Sequence, residues 1–431
     1  MNLAIVNGRL VDPCNGVDGQ HDLFIASGKV LAVGERPGSF VADRVIDAAS
    51  LIVCPGLVDL SARLREPGSE YKATLESEMH AALTGGVTSL VCPPDTDPPL
   101  DEPGLVEMLK QRALSLNLSH VYPLGALTVG LAGEKLTEMA QLAEAGCVGF
   151  SQAEAPIVDT RVLLRALQYA QTFGYRAWLR PQDAHLGRGG VAHSGAVASR
   201  LGLSGVSEMS ETVALHTIFE ILRSLGKNAG AHVHLCRISS AAGINLIRAA
   251  RKEGLPISCD VAVHHIHMTD ADIGFFDSNC RVDPPFRSQK DRTAIRMALA
   301  DGTIDAICSD HAPVDEDAKL LPFGEAEPGV TAVELLLPLT LKWASETGHT
   351  LSEALARITC APARLLNGPV CGRLGVGTPA DICVFDRQAH WTVEPNSLRS
   401  QGKNTPFIGY EVAGRVTMTL VGGEVRYGAA R

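Results

Sequence analysis

The stretch Pro55-Gly56-Leu57-Val58-Asp59-Leu60-Ser61-Ala62-Arg63-Leu64-Arg65-Glu66-Pro67-Gly68 decides the reading of this chain. Its apolar start predicts a strand, and Arg65-Glu66-Pro67-Gly68 predicts the loop that follows it. Side chains two residues apart on a strand share one face, so Ser61 and Arg63 project together. Two imidazoles at that spacing could grip one metal ion. A guanidinium stays protonated and has no lone pair to give, so Arg63 cannot.

The same stretch marks a change of pattern. Before it, residues 1–54 read as short strands with turns, among them a hairpin over Leu23–Gly34 that turns at Ser27-Gly28-Lys29. After it, apolar runs at Thr88–Cys92, Ala231–Leu235 and Ile304–Ser309 alternate with helically spaced segments such as Tyr71–Leu83 and Thr212–Ser224. Short apolar strands separated by helices imply a parallel sheet covered by helices. Over residues 55–369 this favours a closed (β/α)8 barrel of the TIM type. Beyond about residue 370 strands return at Ala380–Asp386 and in a hairpin over Val416–Tyr427 that turns at Gly422-Gly423. Neither chain end has enough strands for a covered sheet of its own. Residues 1–54 and 370–431 are therefore expected to form one small composite β domain.

Composition narrows the class. The 431 residues are 45% apolar and 20% charged, with a net charge of −10 and no basic run, which argues against nucleic acid or an anionic membrane as partner. No apolar stretch reaches the roughly 18 residues of a membrane helix, and Met1–Gly8 lacks the basic and apolar regions of a signal peptide. The 11 cysteines are scattered without a Cys-x-x-Cys pair, and most, such as Cys92, Cys236, Cys308 and Cys383, lie in apolar runs. They read as buried thiols of a cytoplasmic protein.

Ordered motifs run the length of the chain: Leu64-Arg65-Glu66-Pro67-Gly68, Gly85-Gly86-Val87-Thr88, Cys92-Pro93-Pro94-Asp95-Thr96, Asp283-Pro284-Pro285-Phe286-Arg287, Ser309-Asp310-His311-Ala312-Pro313 and Thr405-Pro406-Phe407-Ile408-Gly409-Tyr410. The series resembles the dihydroorotases of the long bacterial type, members of the amidohydrolase superfamily. That resemblance implies a barrel that holds one or two zinc ions at its strand ends. The implied ligand positions have changed. Ser61 and Arg63 replace the first His pair, and Gln152 and Ala153 stand where an acidic bridge lies, in Phe150-Ser151-Gln152-Ala153-Glu154. Arg180 and Arg237 replace two further His, and Asp310 alone is kept.

One carboxylate cannot hold a catalytic zinc, which normally has three protein ligands. The zinc site is thus expected to be lost, with no cofactor, and Arg63, Arg180 and Arg237 are expected to take the metal's electrostatic place and pair with Asp310. Asp310 and His311 become vestigial. Arg65 and Arg287 match family residues near the substrate carboxylate and read either as an anion-binding remnant or as members of salt bridges. Asp95 and Asp283, where Asn is usual, weaken the case for an anion.

Other histidines have plainer readings. His232 and His234 share a strand face and could mark a migrated metal site, but no third ligand is evident, and hydrogen-bonded core is the alternative. His264, His265 and His267 read as structural. His185 and His193, beside Gly187-Arg188-Gly189-Gly190, are expected to be exposed. That loop lacks the Gly-Lys-Ser/Thr of a phosphate cradle.

The resemblance implies a catalytically silent homologue in pyrimidine biosynthesis, a structural partner of the catalytic subunit of aspartate transcarbamoylase and itself a homo-oligomer. Two alternatives stay open. One is a working cyclic-amide hydrolase with an unusual metal site, and the other is a ligand-sensing module that uses the arginine-rich pocket.

Overall fold

The computed structural model describes residues 2–226, 232–366, 368 and 370–428. Met1, Ala231 at the start of the expected strand 231–235, and the boundary residue 369 lie outside the described residues.

Parallel strands Leu57–Asp59, Val87–Cys92, His120–Pro123 with Gly125–Ala126, Phe150–Ser151, Arg176–Leu179, His232–Leu235, Ile257–Ala262 and Ala306–Cys308 follow one another in spatial order. Helices such as Leu75–Thr84, Pro103–Leu116, Thr160–Phe173, Met209–Leu225, Ala241–Lys252 and Gln289–Ala300 separate them. The ring closes where a parallel bridge joins Ala62 to His311. There the Arg63 N–H donates to the His311 carbonyl (2.8 Å) and the His311 N–H to that of Ser61 (3.0 Å). Val87–Cys92 and Ile257–Ala262 are buried along their whole length, as expected of strands covered on both faces. This is the (β/α)8 barrel expected from the alternation of strand and helix.

Helix starts follow local chemistry. The segment expected to be helical from Tyr71 begins at Leu75, because Thr74 caps it: the Thr74 Oγ1 accepts the Ser77 N–H (3.1 Å) and the Ser77 Oγ answers the Thr74 N–H (3.1 Å). The helix ends at Gly85-Gly86, where Gly86 has φ +79 and an added Cβ would lie 2.4 Å from the Cys383 sulfur. Only glycine satisfies both demands, and this is where the barrel meets the β domain.

Two sheets flank the barrel. One orders Glu424–Tyr427, Glu411–Val421, Ile382–Thr392, Ile52–Pro55, Arg9–Asp12 and Val17–Gln20, so strands from both chain ends interleave. The other orders Lys29–Val33, Leu23–Ala26, Asn2–Val6 and Arg44–Asp47, all from the N-terminal segment. This second sheet takes all four of its strands from the N-terminal segment alone, but only part of its cover. It is stable because it is not alone: Leu3, Ile5, Leu23, Ile25 and Ile46 pack on Leu10, Val53, Ile382, Val384 and Leu420 of the first sheet. The two expected hairpins turn on left-handed residues, Ser27 and Gly28 in one and Gly422 and Gly423 in the other, the pattern of type I′ turns.

Ile382 is fully buried, with Pro55 opposite it on one side and Leu420 on the other. Ile382→Ala is expected to destabilise by ~2–5 kcal/mol, read as a lower urea midpoint at unchanged far-ultraviolet dichroism of the native state.

Candidate functional site

The barrel's strand ends carry side chains on unusual backbone. Arg65, Ala153, Arg237 and Asp310 all have positive φ, at 62°, 48°, 55° and 48°. Left-handed conformations in non-glycine residues are rare and concentrate at functional sites. Two of these four residues aim their charged groups into one cluster.

Glu154 is the centre of that cluster. Its carboxylate accepts from Arg63 Nη2, Arg180 Nη1 and Arg237 Nη1. Asp310 Oδ1 accepts from Arg63 Nη1 (3.2 Å), Arg237 Nη1 (3.1 Å) and the Ser61 Oγ (3.3 Å). Arg63 Nε also donates to Asp95 (2.8 Å), and Arg180 forms a two-pronged pair with Asp283 (3.0 and 2.7 Å). The expectation that all three arginines pair with Asp310 is corrected: Arg63 and Arg237 do, whereas Arg180 is bound by Glu154 and Asp283. Gln152 takes no part, because its side chain is tied to the Thr128 Oγ1 and the Leu131 carbonyl.

The charges fit their surroundings. Burial pulls the Arg63 pKa down, but the charges of Asp95 and Asp310 outweigh it and the net shift is upward. Burial pushes Asp95 and Asp283 up, and Arg63 and Arg180 respectively hold them below the usual carboxylate value. Arg180 itself is shifted down, chiefly by burial.

Arg65 and Arg287 are not brought together. Arg65 Nε donates to the Pro313 carbonyl (2.8 Å), and its guanidinium borders a cavity of about 220 Å³ shared with Arg63, Asp95, Glu154, Asp310 and Glu327. Arg287 is buried on protein partners instead: the Ser239 Oγ (3.2 Å), the Val206 carbonyl (2.7 Å) and the ring of His193 (3.4 Å). His193 is 9% exposed, which corrects its expected exposure, whereas His185 is at the surface.

The second His pair does gain neighbours. His234 lies with Cys236 and Asp260 as a set of three potential ligands, where no third ligand had been evident. Their atoms are already used. His234 bonds the Ser258 Oγ (2.9 Å) and Asp260 (3.0 Å), and the other Asp260 oxygen accepts the Arg237 N–H (2.6 Å). Burial pushes the Cys236 thiol pKa well above its ordinary value. The Arg237 N–H contact makes this trio a support for Arg237. His232 meets the same Ser258 Oγ (2.9 Å), and burial lowers its pKa to about 4.

His311 is equally occupied. Its Nδ1 accepts from the N–H groups of Ala332 (3.2 Å) and Val333 (3.4 Å), so its Nε2 donates to Glu78 (2.6 Å). Glu78 in turn accepts the Ser400 Oγ (2.6 Å) and the Gln401 N–H (3.0 Å). This chain of bonds staples segment 398–401 to the barrel and leaves His311 no proton to exchange with a substrate.

The donor set at the strand ends does not fit a metal ion. It offers a hydroxyl, carboxylates already held by guanidiniums, and three fixed positive charges that repel a cation.

Comparison with known proteins agrees with this reading of the frame. The Dihydro-orotase-like family matches residues 50–242 and the Amidohydrolase family residues 184–426. A dihydroorotase-like protein of Pseudomonas putida is 44% identical over 99% of this chain and 100% of its own length. The chain belongs to the dihydroorotase-like amidohydrolases. A second dihydroorotase-like protein, from Pseudomonas aeruginosa, is 42% identical over 99% of this chain and all of its own. A Geobacter dihydroorotase is 38% identical with full coverage of both chains. The L-hydantoinase of Arthrobacter aurescens shares the fold, with a TM-score of 0.87 at 23% identity over 100% of this chain and 96% of its own. Relatives of a dihydroorotase-like amidohydrolase thus carry both kinds of name.

Glu154 was missed as the cluster's keystone, although a signal existed. Arginines inside a barrel demand nearby carboxylates, and Glu154 sits two residues beyond Gln152.

Beside the His311 staple, Glu334 accepts the N–H groups of Arg399 (2.8 Å) and Ser400 (3.0 Å), and burial pushes its pKa up to about 7 from 4.5. The folded state therefore holds this proton more tightly than the unfolded chain. The cost of ionising Glu334 is fully present above about pH 7 and is relieved as pH falls toward 4.5. Glu334→Gln is expected to flatten the fall in stability between pH 4.5 and 7, measured by urea titrations across that range.

Proposed function

We propose that this chain is a catalytically silent dihydroorotase homologue that serves pyrimidine biosynthesis as a structural partner of aspartate transcarbamoylase. One observation carries the loss of catalysis: Arg63, Arg180 and Arg237 converge on Glu154 where the family holds its metal. Opening or closing a cyclic amide at neutral pH needs an activated water and a polarised carbonyl, and the family's metal supplies both. A guanidinium can polarise a carbonyl but cannot lower the pKa of a bound water as a metal does. Among the described histidines, His311, His234 and His193 are engaged with protein groups, and His264, which borders the charged cavity with both ring nitrogens unpaired, is made a weak base by burial, with its pKa lowered to about 3.

The partner is supported by the resemblance and by an argument from retention. The barrel, its closure and the two-sheet domain are kept at full length while the chemistry at the strand ends is gone. A fold kept without its reaction points to a surface with a use. The cytoplasm as location and a homo-oligomeric state belong to the same proposal. Every cysteine is free, and no helix among the described residues is long and apolar enough to cross a membrane.

Two measurements test this reading. Purified protein supplemented with zinc is expected to form no dihydroorotate above the blank and to hold far less than one zinc per chain by elemental analysis. Turnover, or a stoichiometric metal, would restore the hydrolase. Aspartate transcarbamoylase is expected to co-purify with the protein from its native cell at endogenous levels, and its absence from the complex removes the scaffold role.

A further inference from the structure

The three arginines that replace metal ligands form something the loss of a metal does not require. Arg63, Arg180 and Arg237 come from three different barrel segments, yet one guanidinium nitrogen of each reaches the same carboxylate. Three guanidiniums converging on one point are the hardware of an oxyanion site. Here the anion is internal. Glu154 also reaches solvent: its side chain is 34% exposed, close to the 33% of Asp283, against 8% for Arg63, 4% for Arg180 and 5% for Arg237.

Glu154 stands between two cavities. On one side lies the charged cavity of about 220 Å³, bordered by Arg63, Arg65 and Asp310. On the other lies a cavity of about 130 Å³ with an apolar floor of Leu163, Leu179 and Ile218 and a wall of Ile157. Glu154 lines both. If its side chain swings toward solvent, the two spaces join, and Arg63, Arg65, Arg180 and Arg237 face Asp95, Asp183, Asp283, Asp310 and Glu327. Arg63, Arg180 and Arg237 then lose the one carboxylate that all three share.

We infer that Glu154 is a built-in stopper in an anion site, and that a small molecule with two negative charges displaces it. The oxyanion takes the place of the Glu154 carboxylate among the three guanidiniums, and an apolar or ring substituent lies over Leu163, Leu179 and Ile218. A dianion is favoured over a monoanion because it must outcompete a carboxylate that is already tethered in place. A phosphomonoester and a dicarboxylate share this chemistry. The inference rests on the non-catalytic reading of the site.

Isothermal titration of the full-length protein with inorganic phosphate, phenyl phosphate, succinate and acetate tests it. Glu154→Gln, which keeps the size of the side chain and removes the competing charge, is expected to bind the preferred dianion at least tenfold more tightly than the native protein. Acetate is expected to bind far more weakly to both. Tighter binding of phenyl phosphate than of succinate assigns a phosphate ester, and the reverse order assigns a dicarboxylate. A second measurement needs no variant. In the native protein the Nε–H resonances of Arg63, Arg180 and Arg237 are expected to shift together on titration with the same dianions. The absence of saturable binding to folded Glu154→Gln, or titrations that leave these resonances in place, would overturn the inference. Zinc analysis of the same samples separates the two failures, because a stoichiometric metal defeats the non-catalytic reading itself.

Discussion

A buried guanidinium cannot shed its charge, and the barrel's open end is organised around that constraint. A neutral imidazole can sit in a protein interior as a ligand or a hydrogen-bonding group, but an arginine must bring an anion with it. Three arginines at the strand ends therefore imply a matching set of carboxylates, and Asp95, Glu154, Asp283 and Asp310 provide it. Removing one member of such a buried group typically costs ~3–5 kcal/mol, because it strands its partner's charge. The network links the strand ends near residues 63, 154, 180, 237 and 310 with the segments that carry Asp95 and Asp283. It holds the mouth of the barrel together by many directional bonds.

Beneath those side chains the backbone keeps a more demanding shape. Left-handed residues at Arg65, Ala153, Arg237 and Asp310 each cost of order 1–3 kcal/mol unless neighbours enforce them. At Asp310 the neighbours are visible. Ser309 is bound to Asp59 through its N–H (2.8 Å) and its hydroxyl, and His311 continues the closure of the barrel. At Arg237 the enforcing contact is its own N–H on Asp260 (2.6 Å). At these two positions the backbone is set by contacts outside the charge cluster.

Much of this was legible in the chain. The alternation after residue 55 announced the barrel, and the positions of Ser61, Arg63, Arg180 and Arg237 announced the altered site, because both depend on local pattern and residue type. What stayed hidden depends on three-dimensional arrangement. Glu154 is one carboxylate among many until Arg63 and Arg237 are brought to it across the barrel. His193 lies in a glycine-rich, polar stretch that resembles a surface loop, and only the packing of Arg287 beside it shows that the ring is buried. The N-terminal sheet looked too small to stand because three of the strands in the sheet that covers it come from the far end of the chain.

That last arrangement governs the timing of synthesis. Ile52–Pro55 pairs with a strand that begins at Ile382, and Leu10, Val53 and Ile382 share one apolar layer. The first strands leave the ribosome roughly 330 residues before their cover, a delay of about 15–65 s at ordinary elongation rates. During that interval the apolar face of the N-terminal sheet lacks the part of its cover that Ile382, Val384 and Leu420 supply, and the barrel takes shape beside an unfinished neighbour. The two ends meet only when translation is nearly complete, so the last strands act as a check on the whole chain. A nascent protein that stops short of Glu411–Val421 leaves its first sheet open.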